Sequence, residues 1–309
     1  MYMFENQITI KTKSDFNEYL NSFEYGTSDF SFTSLYMWRE INRFSWQIIG
    51  DYLCLAGISH LELDKQRAFL FPPLTKTGTY EPSKLRKTIL EAKKIFEKKN
   101  QEFSIRLLPG SMACIIETAF PGELTFIDDR PNFDYLYSKN DLIDLAGRKY
   151  HAKRNHLNHF KTHYSYKYAP LSLDRIDEAM DFIRKFNFRK EVPEHEMQLL
   201  KMEEKAMGDV FSNLEEVGYI TGVIYIGGEI QALSIGGPLG KNTVTVHVEK
   251  ADTKYRGAYQ AINNEFCKHM EGNIRYMNRE EDMDIQGLRE AKLSYRPLRL
   301  VEKQIAVFK

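Results

Sequence analysis

Two stretches of this chain hold side chains whose types and spacing could do chemistry. In "NREEDMDIQGLREAKLSYRP" (278–297), Glu280, Glu281, Asp282 and Asp284 crowd together, and Lys292, Tyr295 and Arg296 follow closely. Carboxylates beside a cleft can take a proton from an amine nucleophile or hold an ammonium group. Asp282 or Glu281 is therefore the expected base or acceptor-orienting group. Tyr295 is placed to return a proton to a leaving group, and Asn278 and Lys292 to line the same cleft. The plainer alternative is an acidic helix start, which the helix dipole favours with no ligand at all.

The other stretch is "EKADTKYRGAYQAINNEF" (249–266), where an apolar strand ends and a loop opens a helix at about Gly257. Unpaired N–H groups at a helix start attract anions. Lys254, Arg256 and the backbone at Gly257 and Ala258 are the expected phosphate contacts. An ordinary strand-loop-helix joint would read the same way.

A third feature is a matter of charge. Residues 145–173 contain no Asp or Glu, yet hold six Lys/Arg and four of the chain's eight His. On a helical wheel Tyr150, Leu157, Phe160 and Tyr164 share one side, Lys153 lies within that arc, and Arg154 and Lys161 flank it. One reading is a connecting helix with a solvated basic face. The other is an anion-facing helix on which Lys153 and Arg154 contact a phosphate or nucleic acid. His156, His159 and His163 have a spacing that can hold a metal. Neighbouring Lys and Arg charges repel a cation, so no metal is expected.

The elements that must position these groups follow from periodicity. Helices are expected over "TKSDFNEYLNSF" (capped by Ser14), "EPSKLRKTILEAKKIFEKKNQ", "SLDRIDEAMDFIRKFNFRK", "PEHEMQLLKMEEKAM" and "GAYQAINNEFCKHM", with a short one interrupted by Gly287. Strands are expected at "FSWQIIGDYLCLAGI", split by Gly50-Asp51, and in "GYITGVIYIGGEIQALSIGGPLGKNTVTVHVEKAD", a meander turning at Gly227-Gly228 and again at "GPLGKN". "LRLVEKQIAVF" is a final strand. Each half orders its elements in a similar way, which makes the class α+β. Two units are expected, residues 1–145 and 146–309, with the boundary within 138–165.

Composition narrows the partners. The chain has 309 residues, zero formal net charge, 42% hydrophobic and 28% charged residues. It can bury a sizeable core, and it has no global field to steer nucleic acid or membrane. Cys54, Cys114 and Cys267 have no disulfide or zinc spacing, so free thiols in a reducing compartment are expected. No signal peptide and no apolar run of membrane-spanning length is evident, which makes the expected location cytoplasmic.

Together, "FDYLYSKNDLIDLAGRKYHAKRNHLNHF", "KYRGAYQAINNEF" and "NREEDMDIQGLREAKLSYRP" resemble the C-terminal-domain family of bacterial phosphatidylglycerol lysyltransferases, itself similar to Fem-type aminoacyltransferases. The resemblance implies two tandem GNAT-like (N-acyltransferase) folds with mostly antiparallel mixed sheets, the active site in the C-terminal one. It implies transfer of an acyl or aminoacyl group to an amine or hydroxyl. The donor would be an aminoacyl-tRNA or an acyl thioester such as acyl-coenzyme A. It also implies that the basic helix joins the two folds. The glycine loop of coenzyme A users reads Arg/Gln-x-x-Gly-x-Gly/Ala; here Lys254, Gly257 and Tyr259 occupy those places. The lysyltransferases carry a long N-terminal membrane region with no counterpart here, so a phospholipid acceptor is not expected. The alternative is a non-catalytic binding module on the same scaffold. A pure RNA binder fits poorly with neutral charge.

Overall fold

The computed structural model describes residues 1–59, 67–188 and 193–309. Its strands, in chain order, are β1 (Asn6–Gln7), β2 (Ser45–Ile49), β3 (Tyr52–Ser59), β4 (Arg67–Leu70), β5 (Leu74–Thr75), β6 (Ile105–Pro109), β7 (Leu124–Asp128), β8 (Asp134–Ser138), β9 (Tyr166–Ala169), β10 (Ile220–Ile226), β11 (Glu229–Leu239), β12 (Thr243–Ala251), β13 (Tyr276–Asn278), β14 (Arg299–Val301) and β15 (Lys303–Phe308). The helices are α1 (Lys13–Leu20), α2 (Phe32–Trp38), α3 (Pro82–Lys98), α4 (Gly110–Ala119), α5 (Lys139–Asp144), α6 (His151–His163), α7 (Ile176–Phe188), α8 (Glu194–Ser212), α9 (Leu214–Val217), α10 (Ala258–Lys268) and α11 (Gln286–Leu293). The end of the sequence-expected helix at 189–190 lies outside the described residues.

Contacts divide the chain into two compact units. The first comprises Met1–Asp134, Glu281–Ile285 and Leu300–Lys309; the second comprises Tyr135–Glu280 and Gln286–Arg299. The first unit's sheet runs β1-β2-β3-β4-β6-β15-β7, with β5 on β3. Its pairs are antiparallel except β4 with β6. The last strand of the chain therefore sits between β6 and β7. Helix α3 shows why this unit holds: Leu85, Ile89, Ala92 and Phe96 recur at helical spacing and are all fully buried. Each large apolar side chain of this kind contributes roughly 1.5–3 kcal/mol on burial. Thr12 precedes α1, so Ser14 lies in its first turn and is not the cap.

The second unit's sheet runs β8-β13-β12-β11-β10-β9. β10, β11 and β12 form the expected meander, with Gly227 and Gly228 both at positive φ in the two-residue turn. These strands are buried almost throughout, as suits a sheet covered on both faces. α10 packs against β10, β11 and β12, and α7 also packs on β11 and β12. β13 pairs with β12 in parallel, which the chain reaches only by crossing through α10. Gly287 is accommodated inside α11 and does not break it.

Candidate functional site

The parallel pair is short. Thr243, Val244 and Thr245 face Tyr276, Met277 and Asn278, and there the pairing stops. Beyond it, side chains span the two strands. Arg279 Nη2 donates to Glu249 Oε1 at 2.8 Å, and His247 Nδ1 meets Glu280 Oε1 at 2.7 Å. His247 and Glu249 are two apart, which in a regular strand puts them on one face. Here the register of β12 on β11 shifts between Ile235 and Gly236 and skips His247, so the alternation is broken between them. Glu249 also accepts from Asn263 of α10 at 3.0 Å, while His247 meets the edge of Tyr219. Glu280 adopts a left-handed φ of 54°. A non-glycine residue held there stores strain of order 1–3 kcal/mol.

Arg279 is the centre of a buried aromatic and cationic cluster. Its guanidinium lies 4.9 Å from the Tyr295 ring centroid, and Lys153 Nζ lies 4.3 Å from the same ring. Burial lowers the Lys153 pKa, the Arg279 charge adds to that, and Glu249 opposes it. Burial also raises the Tyr295 pKa, against the pull of Arg279. Arg279 Nη1 has no hydrogen-bond partner among the described residues, and the Tyr295 hydroxyl lies beside the Gln260 side chain. Lys292 Nζ donates to the Arg279 carbonyl at 2.6 Å, and Tyr137 OH donates to the Lys292 carbonyl at 2.8 Å. α11 is thereby tied to the exit of β13.

Of the sequence-expected residues, Lys153, Tyr295 and Lys292 come together at this point. Lys292 is buried and serves as the tether just described. Asn278 is fully buried, its Oδ1 accepting the Glu280 N–H at 2.8 Å. Asp282 is elsewhere: it belongs to the first unit, is fully buried, and engages both oxygens. Arg130 donates to its Oδ2 at 3.0 Å and the Asp284 N–H to its Oδ1 at 2.9 Å. Positive φ at Glu280, Met283 and Asp284 turns the chain sharply here, so the acidic run is no simple helix start. Glu281 also lies in the first unit, where its charge acts on Lys303.

The loop before α10 differs from its expected use. Gly257 does need its freedom, at φ +91°, but a Cβ there would sit 2.1 Å from the His156 carbonyl oxygen. The close approach is to α6. The Ala258 N–H is spent on the Tyr255 carbonyl at 2.9 Å. Lys254 reaches Asp252 at 3.3 Å. Arg256 stays exposed, and its charge adds to burial in lowering the His156 pKa. Burial of the Tyr259 phenol, followed by the Glu249 charge, pushes its pKa up to about 12.

The basic helix is α6, and it lies wholly in the second unit. Arg154 is spent on the Leu145 and Gly147 carbonyls after α5. Lys161 reaches Glu265 at 3.8 Å, and Lys149 reaches Asp141 at 3.6 Å. The acids missing from the stretch are thus supplied from outside it. The His159 and His163 rings stack at 4.0 Å.

Arg279, Glu249 and His247 received no role in the sequence reading. A signal existed: His247 and Glu249 are ionisable residues within the run "TVTVHVEKA", which is otherwise apolar apart from threonines and Lys250.

The family model for the C-terminal region of phosphatidylglycerol lysyltransferase matches residues 21–307. The chain belongs to that family. A conserved protein of unknown function from Bacteroides thetaiotaomicron is 30% identical, covers 100% of both chains and superposes with a TM-score of 0.86. The structure of L-PGS from Bacillus licheniformis matches 98% of this chain and 93% of its own at 14% identity and TM-score 0.62. FemX matches 98% and 96% at 9% identity and TM-score 0.63. These likenesses make the fold the tandem GNAT-like one, α+β with mixed sheets. An uncharacterised protein of Mycoplasmoides gallisepticum is 25% identical over 178 residues, 56% of this chain. The chain spans about half the length of that curated relative, 55%. Among the described residues, no helix is long and apolar enough to cross a membrane.

Proposed function

We propose that the second unit transfers an acyl or aminoacyl group from an aminoacyl-tRNA or an acyl thioester to an amine or hydroxyl acceptor. One observation carries this reading: the parallel strands part after Thr245 and Asn278, and the parted ends hold the Arg279–Glu249 and His247–Glu280 pairs. Acyl transfer needs a proton acceptor for the nucleophile and donors for the oxyanion. Glu280, steadied by His247 and held in a strained backbone, takes the acceptor's proton. The new bond forms between the acceptor atom and the carbonyl carbon. The negative charge that develops on the carbonyl oxygen faces N–H groups of β12 beyond Thr245, where the pairing with β13 has stopped. The tetrahedral adduct then collapses, breaking the ester or thioester bond. The leaving oxygen or sulfur takes up the proton that Glu280 removed from the acceptor.

The test is a mass-spectrometric assay of purified protein with charged tRNA and with acyl-coenzyme A species, over a panel of amines and alcohols. Glu280→Gln should cut kcat about a hundredfold or more with donor affinity retained. A second reading, a binding module without turnover, is favoured by Arg279 and Glu280 being already paired. Donor binding with no transfer to any acceptor would select it.

A further inference from the structure

The second unit packs two cations on one aromatic ring. Lys153 comes from α6 and Arg279 from the exit of β13, and they lie 4.3 and 4.9 Å from the Tyr295 ring centroid. Each cation gains from the ring, but like charges this close repel one another. A carboxylate already paired here is Glu249, and its oxygens are taken by Arg279 and Asn263. Lys292 adds a further ammonium, at the Arg279 carbonyl. A buried polar atom is left over: Arg279 Nη1 has no partner among the described residues, while the Tyr295 hydroxyl has the Gln260 side chain beside it and Tyr295 is only 5% exposed. Leaving such donors unmet is costly unless something else meets them. Lys153 is half-buried, which leaves the cluster a side open to solvent.

We propose that Lys153, Arg279 and Tyr295 form a binding site for the oxyanion of a substrate's phosphate or carboxylate group. The three groups come from α6, the exit of β13 and the segment after α11, and they meet at the Tyr295 ring. An anion there meets the unpartnered Arg279 Nη1 and relieves the repulsion between the cations. The helix start at Gly257 does not do this work, because its glycine is packed on α6 and its Ala258 N–H is spent. The proposal deepens the acyl-transfer reading by giving the substrate an anionic handle in the same unit, yet it does not require turnover.

The test titrates inorganic phosphate and sodium acetate at constant ionic strength. It follows the melting temperature and the protection of Lys153 from acetylation by N-hydroxysuccinimide acetate, read site by site in the mass spectrum. Saturable protection by either probe is expected, and the stronger probe tells a phosphate handle from a carboxylate one. Lys153→Met and Tyr295→Phe remove one donor each without stranding an ion pair. Each should weaken the saturable stabilisation about tenfold. Absence of saturable binding by both probes would overturn the proposal. So would binding that survives both substitutions, or that is lost on Arg256→Ala instead. Failure of transfer with anion binding intact counts only against the transferase reading. Transfer without any anion binding counts only against this site.

Discussion

At the residue scale, the same side-chain chemistry has different consequences according to what surrounds it. Gly257 reads in sequence as a phosphate-loop glycine. In the fold it is the point where α10 begins against the backbone of α6, at φ +91° and with no room for a Cβ. Gly257→Ala should therefore lower stability by roughly 2 kcal/mol or more, because a left-handed alanine is strained and the His156 carbonyl must move. Urea denaturation followed by circular dichroism measures this. A substitution that cost nothing would show that the approach of the two helices is loose. Asp282 carries a parallel lesson. A carboxylate in an acidic run is legible as a candidate base, but its burial and its bond to Arg130 are not.

At the element scale, α6 illustrates how a basic stretch is absorbed by its neighbours. Leu145 ends α5 in a left-handed conformation, and the Arg154 guanidinium accepts the task of holding its carbonyl and that of Gly147. Arg154→Ala should cost about 1–2 kcal/mol of stability through the loss of charge-assisted bonds at a helix end. It should leave phosphate or acetate affinity unchanged, so calorimetry and the anion titration separate the two roles. Lys153, one residue earlier, points instead to Tyr295. Neighbouring helix positions differ by about 100° in direction, which is enough to give one cation to a cap and the next to a pocket.

At the scale of the whole molecule, the chain's last strand returns to the first unit, and it brings a charge. Lys303 is fully buried on β15, 2.5 Å from Asp29 and 2.7 Å from Asp134. Burial pushes the Asp29 pKa up to about 6, Asp134 adds to that, and Lys303 opposes it. Asp29 is thus raised above its unfolded value, so the native state holds its proton more tightly. The stability this contributes is full below the ordinary carboxylate pKa near 4 and is lost as pH rises through about 6. Comparing urea midpoints of the wild type and Asp29→Asn from pH 4 to pH 7 isolates this group. Their difference should change across that window and level off above it. A constant difference would mean that Asp29 titrates as an ordinary surface carboxylate.

Local periodicity determined most of the elements. The apolar spacing of α3, the Gly-Gly turn between β10 and β11, and the α+β order of both halves are all readable along the chain, because each depends on neighbours within a few residues. Three ordered motifs were enough to suggest the family. What only the tertiary structure decided are pairings between distant residues. Nothing in the spacing of Glu249 and Arg279 relates them, since a helix and a loop separate their strands and parallel pairing obeys no short-range rule. Nor does a final strand's own composition say which sheet it will enter. β15 inserts between β6 and β7, where Ala306 is buried and Lys303 neutralises two carboxylates. The candidate site is made of such long-range contacts, so its residue types were visible in the sequence and their partners were not.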